Sequence, residues 1–450
     1  MTRVPTVSTT GPYTNDLSIA SRKTNVRRGE YPIAVYGLGK IGLPVAVAMA
    51  DLTGAVTGVD TDARVVESVA RGQPPFDHEP GLADTLPTLS DEGELSATMD
   101  GHRAAREASI HIIVVPVPLG TQDEADLSAI DVVVETIATG LAPGDLVVIE
   151  TTVPPGTAEA VRSELADQSG VTAGQFGVAS CPERTSSGRA LQDITGAYPR
   201  VVGGVDEEST NAAYALYDEL IDNEVITVDA RTAETVKLFE GVYRDVNIAL
   251  ANELARAFDG RGIDVRDVID AANTQPYCDI HEPGAGVGGH CIPWYPYFLM
   301  QATDHEMELV RTARTVNEEM PRYLAERTLT ELTLAGVTPS EARVAILGVA
   351  YRPNIPEIAA SPAFPLVDQL SSQVADVMVV DPVLEEDVGE LEFVELDALE
   401  DANPDAIVLV TGHDAFAHLS PTAFDGCVVV DGRDALTTWP DRAYTIGRDA

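Results

Sequence analysis

The chain has 450 residues, too many for one ordinary hydrophobic core, so two or three domains of about 100 to 200 residues are expected. It carries 29 basic and 72 acidic side chains, a formal net charge of −43, yet 44% of its residues are hydrophobic, which excludes a disordered acidic chain. The charge therefore lies on a folded surface that repels nucleic acid and anionic membranes, and that concentrated salt would screen; a halophilic, cytoplasmic setting is expected.

Residues 1–30, polar and rich in Pro, Thr, Ser and Asn, read as a disordered tail, with folding starting near Tyr31. From Ile33 an apolar strand (IAVYG), a Gly-rich turn, a helix and a second strand ending at Val59-Asp60 form a βαβ opening. Apolar runs at 110–115, 146–149 and 176–179 continue the alternation and predict a doubly wound parallel α/β sheet. From Thr232 to about Gly262, apolar residues recur at helical spacing, which predicts one long helix interrupted at most at Gly241. It is expected either to form a homodimer core or to pack between domains. A second αβ alternation starts at Val344 (VAILGVAY) and runs through VADVMVVDP and DAIVLVTG to CVVVDGRD. The expected partition is a tail at 1–30, a Rossmann-like domain at 31–228, a helical middle domain at 229–325 and a second Rossmann-like domain at 326–450, with ligand at the strand carboxyl ends. No apolar run approaches the ~20 residues that span a bilayer.

The turn Gly37-Leu38-Gly39-Lys40-Ile41-Gly42 follows a strand directly. Its first Gly suits a tight turn, its second the approach of a phosphate, and its third close helix packing. Asp60, 23 residues beyond Gly37, ends the next strand, where a carboxylate accepts bonds from ribose hydroxyls and repels a 2′-phosphate. This pattern points to NAD rather than NADP.

Four cysteines, Cys181, Cys278, Cys291 and Cys427, are widely spaced with no CxxC pair, which argues against a disulfide framework or a zinc site; no metal is expected. An isolated Cys is most often a small core residue. Cys291, however, ends the glycine-dense loop Pro283-Gly284-Ala285-Gly286-Val287-Gly288-Gly289-His290, which suits a nucleophile delivered to a wrapped ligand. Lysine occurs only at 23, 40 and 237, so Lys237, on the predicted long helix, reads either as a retained functional ammonium or as a snorkelling surface group. Arg244 and Asn247 share roughly its helix face.

Taken in order, the blocks GLGKIGLP with GVD, FDHEPGL, ETTVPPGT, CPER, AETVKLFEGVYRDVNIALANELA, GAGVGGHCIP, and LGVAYRPNI with SPA resemble the UDP-glucose/GDP-mannose dehydrogenase family over about residues 31 to 445. GVGGHCI with YRDVNIALANE is similar to the branch acting on UDP-N-acetylmannosamine. The resemblance implies NAD-dependent, four-electron oxidation of a UDP-sugar C6 alcohol to the acid through a thioester on Cys291, with UDP-glucose as the alternative substrate. It gives acid/base work to Glu183, charge stabilisation to Lys237, and cofactor contacts to Lys40, Ile41 and Thr152 beside Gly37, Gly39, Gly42 and Asp60. Substrate contacts fall to Arg244, Asn247, Gly286, Gly288, Gly289, His290 and Arg352. The first domain is implied to bind NAD, the last UDP-sugar, and the middle one to serve dimerisation and the active site, in a pathway of polysaccharide synthesis. Other roles stay open: a solvated loop acid for Glu183, an ordinary ion pair for Arg244, and packing or tuning of the thiol for His290.

Several positions depart from the family pattern. Gly241 stands where Asn is usual and Tyr295 where Asp is usual. Val117 and Leu119 replace hydroxyl residues, Arg352 replaces Lys, and Ala359 replaces Arg. A catalytically impaired homologue that binds nucleotide sugar is the reading these departures would favour.

Overall fold

The computed structural model describes residues 11–76, 79–185, 188–384, 388, 391–436 and 443–448, so Asp77 and His78 of FDHEPGL and the first ten residues lie outside it. The chain forms two compact units, Met1–Phe239 with Tyr297–Asp304, and Glu240–Pro296 with His305–Ala450.

The first unit is built on eight strands: β1 (Ile33–Tyr36), β2 (Val56–Val59), β3 (Leu95–Thr98), β4 (Ile110–Ile113), β5 (Leu146–Ile149), β6 (Gly177–Ser180), β7 (Arg200–Gly204) and β8 (Val225–Asp229). They lie in the order β3-β2-β1-β4-β5-β6-β7-β8. Strands β1, β4, β5 and β6 are buried along their whole length, as continuous apolar runs must be when helices cover both faces of a parallel sheet. One junction runs the other way: β6 pairs antiparallel with β7 through Ala179↔Gly204 and Ser180↔Gly203.

The expectation of a disordered tail over residues 1–30 does not hold for its described part. Ile19–Arg27 is a helix capped by Ser18, whose hydroxyl accepts from Ser21 N–H. Charge holds it down where apolar residues are scarce: buried Arg22 pairs with Glu208, Lys23 with Asp218, and Arg27 with Glu219 at 2.6 Å. A reading based on hydrophobic periodicity has no access to partners almost two hundred residues away.

In the second unit, β9 (Arg343–Leu347), β10 (Asp376–Val380), β11 (Glu392–Phe393), β12 (Ala406–Leu409), β13 (Val428–Asp431) and β14 (Ala443–Thr445) make an all-parallel sheet in the order β11-β10-β9-β12-β13-β14. The middle of the chain is helical. Ala230–Phe258 is one unbroken helix of 29 residues, passing through Gly241, and Cys291–Gln301 begins at the thiol. Among the described residues no helix is long and apolar enough to cross a membrane.

Candidate active site

At the end of β1 the three turn glycines meet three different demands. Gly37 has φ +94°, and a Cβ on it would lie 2.7 Å from the Val114 carbonyl oxygen. A Cβ on Gly42 would lie 2.0 Å from the Gly37 carbonyl oxygen, so the helix Gly42–Thr53 starts hard against the turn. Gly39 is open, with no heavy atom within 4 Å of where its Cβ would be, and no side chain caps the helix start. This is a cradle that a diphosphate can enter toward the positive end of a helix. Lys40 is exposed beside it and Ile41 packs onto the core. Asp60 Oδ2 accepts from Leu38 N–H at 2.7 Å and its Oδ1 from Asp62 N–H at 2.8 Å, which fixes a carboxylate next to the cradle. The residues present therefore fit a dinucleotide. Thr152 is buried just after β5, and Thr151 Oγ1 donates to the Val115 carbonyl at 2.8 Å, tying that segment to the one that carries buried Val117 and half-buried Leu119.

Just beyond β6 in the chain, Glu183 Oε1 lies 3.7 Å from Lys237 Nζ, with both side chains largely buried. Glu183 Oε2 accepts from the Thr185 amide at 2.7 Å and from its hydroxyl at 2.6 Å. Burial pushes this carboxyl up, but Lys237, the two Thr185 bonds and Arg200 outweigh it and hold the group below the ordinary glutamate value. Glu183 is thus an ionised carboxylate beside an ammonium, competent to accept a proton. Behind it is a network that sequence reading missed. Glu150, fully buried, accepts from Tyr217 Oη at 2.5 Å and faces Arg200 at 3.4 Å. Glu234, about two turns before Gly241 on the long helix and also fully buried, accepts from the Gly156 and Ala158 amides at 2.6 and 2.8 Å, which caps the helix that starts at Thr157, the last residue of ETTVPPGT.

Accessibility separates the cysteines. Burial pushes the thiols of Cys181 and Cys427 up to about 12, which leaves them protonated and inert, and Cys278 is half-buried. Cys291 is exposed and is the first residue of its helix, where the helix dipole favours a thiolate. The loop before it is pinned along its length. Gly284 N–H donates to Asn252 at 2.8 Å, the Gly286 carbonyl accepts from Arg433 at 2.9 Å, and Gly289 N–H donates to the Ala359 carbonyl at 2.7 Å. Gly288 has no room for a side chain, because a Cβ would meet Tyr351 Cβ at 2.5 Å. These three predicted contact glycines, Gly286, Gly288 and Gly289, therefore shape the loop through its packing. A second missed network secures both loop ends. Buried Asp245 accepts from Arg314 at 2.8 Å and from Asn317 at 2.8 Å; Asn317 accepts from Asn252 at 2.9 Å, and Arg314 reaches the Ile292 carbonyl at 3.4 Å. The one trace of it in sequence is that Asp245 and Asn252 fall seven residues apart, on one helix face.

The remaining predicted residues divide. Arg244 is exposed on the long helix, with no hydrogen bond or ion pair among the described residues. Asn247 uses its amide on the approach to the glycine loop, donating to the Asp279 carbonyl at 2.6 Å and accepting from His281 N–H at 2.9 Å. His290 is exposed and meets Trp294 edge-on at 4.7 Å between ring centroids. Arg352 lies 3.5 Å from Glu357, which also accepts from Tyr351 Oη at 2.7 Å.

The chain matches the UDP-glucose/GDP-mannose dehydrogenase family along three segments: the NAD binding domain over residues 31–221, the central domain over 231–319 and the UDP binding domain over 345–438. It is 36% identical to a UDP-N-acetyl-D-mannosamine dehydrogenase of Pyrococcus horikoshii, covering 91% of this chain and 96% of that one. It is likewise 36% identical to an NDP-N-acetyl-D-galactosaminuronic acid dehydrogenase of Ralstonia nicotianae, covering 89% and 95%. Among solved structures, the UDP-D-ManNAc dehydrogenase of Pyrococcus horikoshii matches with a TM-score of 0.86 at 35% identity over 93% of this chain and 99% of that one. A UDP-glucose dehydrogenase from Pyrobaculum islandicum matches at 0.85 with 28% identity, over 93% and 98%.

Proposed function

From the premise that this chain belongs to the UDP-glucose/GDP-mannose dehydrogenase family, and is an NAD-dependent nucleotide-sugar dehydrogenase, we propose that it oxidises the C6 alcohol of UDP-N-acetyl-D-mannosamine to the uronate through a thioester on Cys291. The observation that carries the mechanism is Cys291 itself, an exposed thiol at a helix start, presented by a loop pinned along its length. The sugar is supported by the names of the relatives, several of which are UDP-N-acetyl-D-mannosamine dehydrogenases.

The Gly37–Gly42 cradle and Asp60, with Thr152, would hold NAD, which when bound would supply the hydride acceptor for each of two two-electron oxidations. Lys237 stabilises the negative oxygen that develops as the C6 alcohol loses its proton. The Cys291 thiolate adds to the resulting aldehyde carbon, forming a C–S bond while the carbonyl electron pair moves to oxygen. Loss of the second hydride leaves the thioester. Glu183 takes a proton from water as that water attacks the thioester carbon, and the sulfur leaves as thiolate. One alcohol and one water become one carboxylate, with two hydrides transferred and three protons released. Arg244, His290 and Arg352 are assigned to the substrate, Arg244 because an exposed guanidinium is free to meet a diphosphate.

The net charge of −43 supports a halophilic, cytoplasmic setting, and the exposed Phe239, Tyr243 and Leu250 on the long helix support a homodimer. In the domain assignment, 31–228 binds NAD, 229–325 carries the thiol loop and the dimer face, and 326–450 binds the UDP-sugar. The test is Cys291→Ala. Formation of uronate is expected to stop while NAD still binds. Undiminished conversion to acid by that variant overturns the thioester route, and a wild-type protein that binds UDP-sugar without forming NADH would be the impaired homologue.

A further inference from the structure

Gly241 and Tyr295 lie apart in sequence and belong to different helices, but they occupy one place in the second unit. A Cβ on Gly241 would lie 2.6 Å from Tyr295 Cδ2 and 3.2 Å from Tyr295 Cβ, so any side chain at position 241 collides with the tyrosine ring. The ring is buried, with 6% of its surface exposed. Its hydroxyl comes out beside the thiol: Tyr295 Oη donates to Cys291 Sγ at 3.2 Å. The two residues are one turn apart on the same helix, which places the phenol and the thiol on one face.

We propose that Tyr295 is the residue that orients Cys291 and hydrogen-bonds its thiolate for attack, and that Gly241 is the gap in the long helix that lets the phenol reach it. The inference rests on the reading of Cys291 as nucleophile. The chemistry is a donated hydrogen bond and not a proton transfer. The phenol keeps its proton, the sulfur spends its lone pair on the new C–S bond, and the carbonyl oxygen takes up the π pair as an alkoxide that re-forms C=O when the second hydride leaves. A bond from a neutral donor to an anionic sulfur stabilises the thiolate over the thiol, and so raises the reactive fraction near neutral pH. Other titratable groups near the thiol are His290, the preceding residue, and Tyr351. The Tyr351 phenol is pushed up first by burial and then by Glu357, with Cys291 a smaller cause and Arg352 opposing.

The test is the pH dependence of Cys291 alkylation by iodoacetamide in the full-length protein, read by mass spectrometry of the peptide carrying Cys291. Tyr295→Phe keeps the ring and removes only the hydroxyl. The alkylation profile is expected to move to higher pH, with the rate at pH 7 falling about tenfold. Gly241→Ala is expected to do the same by displacing the ring, because its methyl would meet Tyr295 Cδ2 at 2.6 Å. A thiol slowed in Tyr295→Phe, whose ring still fills the space beside Gly241, does not come from lost packing. Profiles that coincide with wild type in both variants overturn the proposal. If instead Cys291→Ala still makes uronate, the nucleophile reading fails, whatever the alkylation profiles show.

Discussion

Replacing Arg314 with Met removes one half of the buried pair that anchors the thiol loop, and the structure sets the size of the effect. The guanidinium is 2.8 Å from Asp245 Oδ1, with side-chain exposures of 3% and 0%. Breaking a pair this buried strands the surviving charge, at a cost of about 3–5 kcal/mol. For a unit of roughly 200 residues, each kcal/mol moves the midpoint by about 2–4 °C, so a fall of around 10 °C or more is expected in the transition of the second unit. The deficit also depends on pH. Burial raises the Asp245 carboxyl to about 6, with Arg314 opposing, so in wild type its contribution to stability falls as pH rises from the unfolded aspartate value through 6. Without Arg314 the folded value climbs further, so the variant loses more stability relative to wild type at pH 8 than at pH 5. Calorimetric scans at both pH values read this directly. Pairing the change with Asp245→Leu removes the stranded charge and should recover much of the loss. A midpoint drop under about 2 °C, or a deficit equal at both pH values, would refute the reasoning.

Lys237→Met leaves Glu183 buried without its cation, so the acidic limb of kcat/KM is expected to move to higher pH while kcat falls about 10²- to 10³-fold; a limb that stays in place would separate the two residues functionally. In the second unit, burial of Asp381 is outweighed by His413 and backbone amides, which hold its carboxyl below the ordinary value. Its contribution to stability is therefore present above the unfolded aspartate pKa and disappears as pH falls through the folded one. Asp381→Asn is expected to cost about 1–3 kcal/mol at pH 7, and the gap should close on acidification, as thermal melts across that range would report.

How much of this was legible in sequence depended on whether the controlling interactions were local. Strands β1, β4 and β5 announce themselves as unbroken apolar runs, and the Gly37–Gly42 turn with Asp60 is readable because spacing alone places a carboxylate beside a helix start. The short β3 and the edge strand β8, whose residues alternate irregularly between buried and exposed, carry no such pattern. The N-terminal helix depends on carboxylates from a distant helix, and the Asp245, Arg314 and Asn317 network joins residues some seventy positions apart. Gly241 and Tyr295 read in sequence as two separate losses of polar groups. In the folded chain they are one packed pair, because the missing side chain at 241 is the space the ring fills.

The most direct test of the account is a count of NADH formed per sugar consumed, at high salt, with UDP-N-acetyl-D-mannosamine and UDP-glucose as alternatives. The thioester route predicts two NADH per molecule of UDP-N-acetyl-D-mannosamine, with uronate as the product. One NADH per sugar with an aldehyde product, or preferential turnover of UDP-glucose, would contradict it.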